Sequence, residues 1–130
     1  MEDIYEFTLE NDEFEKLLNG TKTVHLAIND PKRRVYNAGT QIKFVRDSSD
    51  LTEEQKVLIE ENKLKMLQSA EIENLYYFDD VKEAVEILGK EACGFKQSAT
   101  FDKVSDLFLA GESAESMEKN GIVAISFKLI

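Results

Sequence analysis

Apolar and polar positions repeat along this chain with two periods, and the points where the period changes mark its elements. Residues 4–9 alternate, with Tyr5, Phe7 and Leu9 on one side and Glu6 and Thr8 on the other, as in a half-buried strand. A helical period follows. Phe14, Leu17 and Leu18 form an i, i+3, i+4 stripe, Asn11 or Asp12 can cap it, and Gly20 fits the left-handed residue that ends it. From 23 to 28 the period returns to two, which puts Val24, Leu26 and Ile28 on a core side and Thr23, His25 and Ala27 on the other. Asn29-Asp30-Pro31-Lys32 and Asn37-Ala38-Gly39 are turn chemistry, and residues 40–46 make a further strand with Ile42 and Phe44 inward.

The second half is read the same way. Residues 47–62 are polar, and Thr52 with Gln55 offers a capping box for a solvent-facing helix through about Asn62. A long strand is expected over 63–76, with Leu64, Met66, Ala70, Ile72 and Tyr76 on one parity and a bend or bulge within it. Asp79 or Asp80 caps a helix carrying Val81, Ala84, Val85 and Leu88, which Gly89 ends. Thr100 starts another, with Phe101, Val104, Leu107 and Phe108 buried and Gly111 stopping it. Ser113 to Asn120 is a last short helical turn, and Val123, Ile125, Phe127 and Leu129 alternate in a terminal strand. Five to six strands interrupted by helices do not make a doubly wound sheet. They predict an α+β fold, a small curled β-barrel with helices packed over one opening and a ligand site in its mouth.

Length and charge narrow the classes. The 130 residues fit a single domain over 1–130, with the polar 47–62 stretch as an insertion. Cys93 is the sole cysteine and has no internal partner, so it is expected to pack as a small apolar side chain in a reducing compartment. Apolar runs reach about four residues, far short of the ~20 that span a bilayer, and the start Met1-Glu2-Asp3 is acidic. A cytoplasmic protein with no membrane partner is expected. The net charge of −10 excludes simple coating of nucleic acid, and double-stranded DNA is not an expected partner. Residues 20–46 nevertheless hold six bases against one acid, a local +5 that predicts a confined anion site.

The candidates for chemistry cluster in that segment. Lys22, on the elbow between first helix and second strand, can hold a phosphate as a point charge or act as a base. His25 is the only histidine and can carry a proton near neutral pH; a structural histidine bonded to a neighbouring strand is the simpler account. Thr23 offers a hydroxyl, although it also suits a strand. Arg33 and Arg34 can clamp a phosphate, or stay as exposed turn charges. Tyr36, Tyr76, Tyr77 and Phe95 can stack a base, or belong to the core. With one histidine and no Cys/His cluster, no metal and no cofactor is expected. Acids such as Glu73, Glu83 and Glu86 are too many to choose among.

The run Gly20-x-Lys22 on a helix-to-strand elbow, followed by Gly39-Thr40-Gln41-Ile42-Lys43-Phe44, resembles the ASCH domain of the PUA-like superfamily. Its hallmark is Gly-x-Lys-x-x-Glu-x-Arg, then Gly-Asp-x-Ile-x-Phe. Tyr76-Tyr77-Phe78-Asp79, Leu88-Gly89, Gly94-Phe95 and Asn120-Gly121-Ile122-Val123-Ala124-Ile125 are also similar. His25 and Ala27 stand where the hallmark has glutamate and arginine, and Thr40 where it has aspartate. The resemblance implies a PUA-like barrel whose cleft takes RNA or a modified nucleoside, and it carries over Lys22 alone; the residues themselves add Thr23, His25, Arg33, Arg34 and Tyr76 as expected contacts of an RNA, nucleotide or nucleoside ligand. One branch of the family hydrolyses acetylated cytidine with the hallmark lysine, a threonine at the position of His25, and a distant glutamate. A binding module is therefore the first expectation. The alternative is an amidohydrolase using Lys22 and His25. The third is an interaction domain with a vestigial cleft and a protein partner on 47–62.

Overall fold

The computed structural model describes residues 5–109 and 114–130. Among them the elements run β1 (Glu6–Leu9), α1 (Asn11–Leu18), β2 (Val24–Ile28), β3 (Gln41–Arg46), α2 (Glu53–Glu60), β4 (Leu67–Phe78), α3 (Val81–Leu88), α4 (Phe101–Leu109), α5 (Ala114–Asn120) and β5 (Ile122–Leu129). The strands form one mixed sheet in the order β1-β3-β4-β5-β2. Only β1 and β3 pair in parallel; the other neighbours are antiparallel. The sheet curls until its two edge strands face each other, with the rings of Phe7 on β1 and His25 on β2 centred 4.4 Å apart. The result is the expected α+β class, a small curled barrel left open along one seam.

Two apolar clusters hold it. Inside the curl, Phe7, Leu9, Ile42, Phe44, Ala70, Ile72, Ile125 and Phe127 meet Phe14 and Leu17 of α1, whose helical stripe plugs the concave side. Outside it, Val24, Leu26, Ile28, Ile122 and Ala124 meet Val81, Ala84 and Val85 of α3 and Val104 of α4. The strand β2 therefore buries both faces rather than one: Val24, Leu26 and Ile28 lie under the helices and Ala27 faces the barrel interior. Central β5 does the same, burying every residue from Ile122 to Ile125. Period-two reasoning assigns one wet face to each strand, and that assignment fails where helices cover the outside of a barrel.

Other departures have local causes. Asn11 is the first residue of α1 and not its cap; Glu10 occupies the cap position without a side-chain bond. The Asn11 amide is committed sideways, accepting from Arg46 Nη1 at 2.6 Å and pairing with the Gln55 amide at 2.6 and 3.0 Å. On α4, Phe101 and Leu107 are exposed, not buried, because that helix packs chiefly on α3 through Val104 and Phe108. The Lys90 ammonium covers the Phe101 ring instead, 4.8 Å from its centre. The expected stop at Gly111 and the start of the last helix at Ser113 lie outside the described residues.

The capping reading of α2 is met in full. Thr52 Oγ1 accepts from Gln55 N–H at 3.1 Å and the Gln55 side chain accepts from Thr52 N–H at 3.0 Å. No residue of α2 is buried. Strand β4 starts at Leu67, later than expected, and its pairing with β5 slips between Ile72 and Asn74. That bulge reverses the parity: Leu75, not Tyr76, continues the interior face of Ala70 and Ile72, and Tyr76 is left exposed.

Candidate functional site

The elbow after α1 is built to turn a lysine inward. Gly20 takes φ +87°, a left-handed value that suits glycine, and Thr21 N–H bonds back to Asn19 Oδ1 at 2.9 Å. Lys22 N–H then closes on Lys16 O at 3.0 Å, and the N–H groups of Thr23 and Val24 both donate to Ala92 O at 2.9 and 3.0 Å. The elbow is thereby clamped to the connection between α3 and α4. Its lysine side chain points between them and is only 1% exposed.

The Lys22 ammonium has three donors, and all three are engaged. Nζ lies 3.0 Å from Glu13 Oε2 and donates to Val24 O at 2.8 Å and Cys93 O at 3.2 Å. A buried ammonium is tolerated only with such partners. Glu13 comes from α1, about two turns before the elbow, and its side chain keeps 29% exposure. It lines a cavity of about 520 Å³ between α1 and the 94–107 segment. Thr8, Asp12, Lys16, Phe95, Lys96, Ser98, Lys103 and Leu107 share that lining. A cationic group sealed in the wall thus holds a carboxylate at the cavity surface.

Gly94 lets this corner close tightly. A Cβ at that position would stand 2.7 Å from Glu13 Oε2 and 3.2 Å from Lys22 Nζ, and its φ of +93° is itself glycine territory. Cys93, whose carbonyl binds Lys22, is buried; burial pushes its thiol up to about 11 against the smaller opposing pull of the lysine charge.

His25 occupies a different place from Lys22. Its ring sits inside the barrel seam, 4.4 Å from the Phe7 ring and 5.6 Å from that of Phe44, and its Nδ1 is buried with no hydrogen-bond partner among the described residues. Burial holds its pKa well below 6.5, and the positive charges of Lys22 and Arg33 push the same way. It is a neutral ring at pH 7, among aromatic neighbours.

The remaining candidates separate. Arg33, in the 3-10 turn Pro31–Arg33, lies close enough for its charge to act on His25. Arg34 turns away, donating to Asn29 O at 3.1 Å and Asn120 Oδ1 at 3.3 Å beside a second cavity of about 390 Å³. Thr23 is exposed, its backbone committed to Ala92. Tyr76 is exposed on β4. Of the aromatics, Tyr36 is buried in the interior cluster, Tyr77 lines the second cavity, and Phe95 lines the first.

Sequence reasoning passed over Glu13, and it met Gly94 only within the Gly94-Phe95 resemblance, with no role at a site. Glu73 and Glu86 are exposed, and Glu83 lines the second cavity. The one sequence signal for Glu13 was its place in the helix that ends at the elbow. The +5 segment does not form one basic surface either. Lys22 is neutralised by Glu13, and Arg46 is buried against Glu15 at 2.6 Å. Among the described residues no group of three His, Cys, Asp or Glu side chains is placed to hold a metal ion, and no helix is long and apolar enough to cross a membrane.

No protein-family model matches the chain, and no curated protein matches it. Two solved structures share its fold. The crystal structure of hypothetical protein PH0355 superposes with a TM-score of 0.69 at 17% identity, covering 96% of this chain and 97% of that one. The solution structure of protein PF0455 from Pyrococcus furiosus gives a TM-score of 0.65 at 15% identity, over 97% of this chain and 96% of that one. The chain is thus similar along nearly its whole length to two proteins built on the same curled barrel.

Proposed function

We propose that this chain is an ASCH-like binding module of the PUA-like type, whose cavity between α1 and the 94–107 segment takes a nucleoside or nucleotide, free or at the end of an RNA. The observation behind the proposal is the Lys22–Glu13 pair set in the wall of a 520 Å³ space. Burying an ammonium gains little stability over an apolar side chain of like size. Placing it behind a carboxylate that faces a cavity of ligand size fixes that carboxylate for contact. The family reading draws support from the Gly20-x-Lys22 elbow, the Gly39 turn into β3, and the curled barrel.

The wall carries Glu10, Asp12 and Glu13 against Lys16, Lys96 and Lys103. That balance suits a compact ligand with both hydrogen-bond donors and an anionic group. A long phosphate backbone would call for an unopposed basic track.

A hydrolase reading has one feature in its favour, a carboxylate at the cavity beside the hydroxyls of Thr8 and Ser98. With all three Lys22 donors engaged, the lysine would serve as an electrostatic anchor and Glu13 as the base. Incubation with acetylated cytidine and a panel of amides separates the two readings: turnover abolished by Glu13→Gln favours hydrolysis.

The binding reading is tested by NMR titration with nucleosides, nucleotides and short single-stranded RNA. Amide shifts are expected on α1, Gly94, Phe95 and Leu107, with affinity falling about tenfold in Glu13→Gln, as for loss of a charge-assisted hydrogen bond. Shifts confined to the Arg34–Asn120 side, or none, overturn it.

A further inference from the structure

Resting on the cavity reading above, we infer that the ligand offers Glu13 two adjacent N–H donors, which among the common bases is the edge of guanine. Glu13 Oε2 is fixed 3.0 Å from the Lys22 ammonium, and Oε1 accepts from no described residue. An ionised carboxylate has about four lone-pair positions and no donor, so most of its accepting capacity is left for whatever enters the cavity.

Gly94 is what lets that carboxylate close on Lys22. The nearest atoms to a Cβ there would be Glu13 Oε2 at 2.7 Å and Glu13 Cγ at 3.2 Å. Even a methyl group at this position would push the carboxylate off the ammonium, so the glycine keeps the acceptor in its place at the cavity wall. Phe95 and the exposed side chain of Leu107 offer a flat group an apolar surface on the same cavity wall.

The donor pattern then selects the base. Guanine sets its ring N1–H beside its exocyclic amino group, and two parallel N–H groups match the two oxygens of a carboxylate. Adenine and cytosine place a lone-pair nitrogen next to their amino group, which a carboxylate repels. Uracil has one N–H flanked by two carbonyls. Lys16, Lys96 and Lys103 line the same cavity and can receive the phosphate of a nucleotide.

Equilibrium dialysis or NMR titration of the wild-type protein with GMP, IMP, AMP, CMP and UMP tests the inference. GMP is expected to bind at least about tenfold tighter than AMP, CMP and UMP, the usual worth of a bidentate pair in base discrimination. IMP, which has the ring N–H without the amino group, should fall between. In Glu13→Gln the ranking should flatten, since an amide offers one acceptor and one donor, with a melting curve checking that the variant folds. Equal affinities with shifts still mapping to α1 and Gly94 overturn the guanine edge and leave the cavity reading standing. A preference for AMP or CMP does the same. Absence of binding by all five overturns both.

Discussion

Helix α1 holds two buried cations, and their differences separate framework from site. Arg46 and Lys22 are both sealed from solvent, and each is met by a glutamate of α1. At the Arg46 end, Nη1 binds Asn11 Oδ1 and Glu15 Oε1 at 2.6 Å each, Nε binds Lys65 O at 3.0 Å, and the guanidinium lies 4.6 Å from the centre of the Phe14 ring. The Asn11–Gln55 amide pair extends that network to α2. Here polar groups tie three elements together, and Glu15 is half exposed, able to exchange its partner for water. At the Lys22 end the cation depends on one carboxylate and two carbonyls, and the carboxylate borders a cavity. The first arrangement fastens the fold. The second uses a buried charge to fix a carboxylate at a cavity surface.

The comparison is broken most directly by deleting the two glutamates. Glu13→Ala leaves a buried ammonium without its counter-charge and is expected to cost about 3 kcal/mol in urea unfolding, as when one partner of a buried pair is removed. Glu15→Ala should cost about 1–2 kcal/mol, less than Glu13→Ala, because its carboxylate is half exposed and Arg46 keeps Asn11 and Lys65. Equal losses would make the two ends equivalent. The double variant Glu13→Ala/Lys22→Met should recover most of the first loss, since the uncompensated charge goes with the lysine.

A smaller effect concerns pH, and it arises in the barrel seam, where the charge of Lys22 is felt and that of Arg46 is not among the causes. His25 is held below its ordinary 6.5 by burial and by the charges of Lys22 and Arg33. The unfolded chain therefore takes up the proton first. The contribution of neutral His25 is complete above about pH 6.5 and is lost as pH falls below it, by at most about 1.4 kcal/mol per pH unit. His25→Phe should remove that slope from denaturation midpoints measured between pH 7.5 and 5. An unchanged slope would place the acid sensitivity elsewhere.

The smallest effect tests the Arg46 end. Thr52→Ala breaks the capping box of α2 and should cost about 1 kcal/mol. Hydrogen exchange should rise in α2 and leave the amides of Thr23 and Val24 unchanged. Faster exchange at the elbow would mean that the two ends of α1 are not independent.

Much of the site's frame was legible in the residues. The Gly20 stop, the place of a lysine on the elbow and the capping signals of Thr52 and Asp80 are encoded within a few residues, and Asp80 does accept from Glu83 N–H at 2.9 Å. Glu13 was not legible as a partner of Lys22. Nine residues separate them, and helical spacing alone leaves it one exposed acid among Asp12, Glu13 and Glu15. Gly94 was visible only as part of the Gly94-Phe95 resemblance, because the carboxylate it makes room for lies 81 residues away in the chain.

The sequence by itself determined where helices and strands alternate, since period, caps and turn residues act over one or two turns of backbone. It also determined that the basic residues concentrate in 20–46. Only the tertiary structure decided which of those charges are buried and paired, as Lys22 and Arg46 are. Curling the sheet brought β1 against β2, buried both faces of β2, and put Lys22 behind α1 and His25 among the rings of Phe7 and Phe44. The bulge between Ile72 and Asn74 turned Tyr76 outward. Charge and exposure depend on neighbours distant in sequence, so local pattern could name the candidates and not sort them.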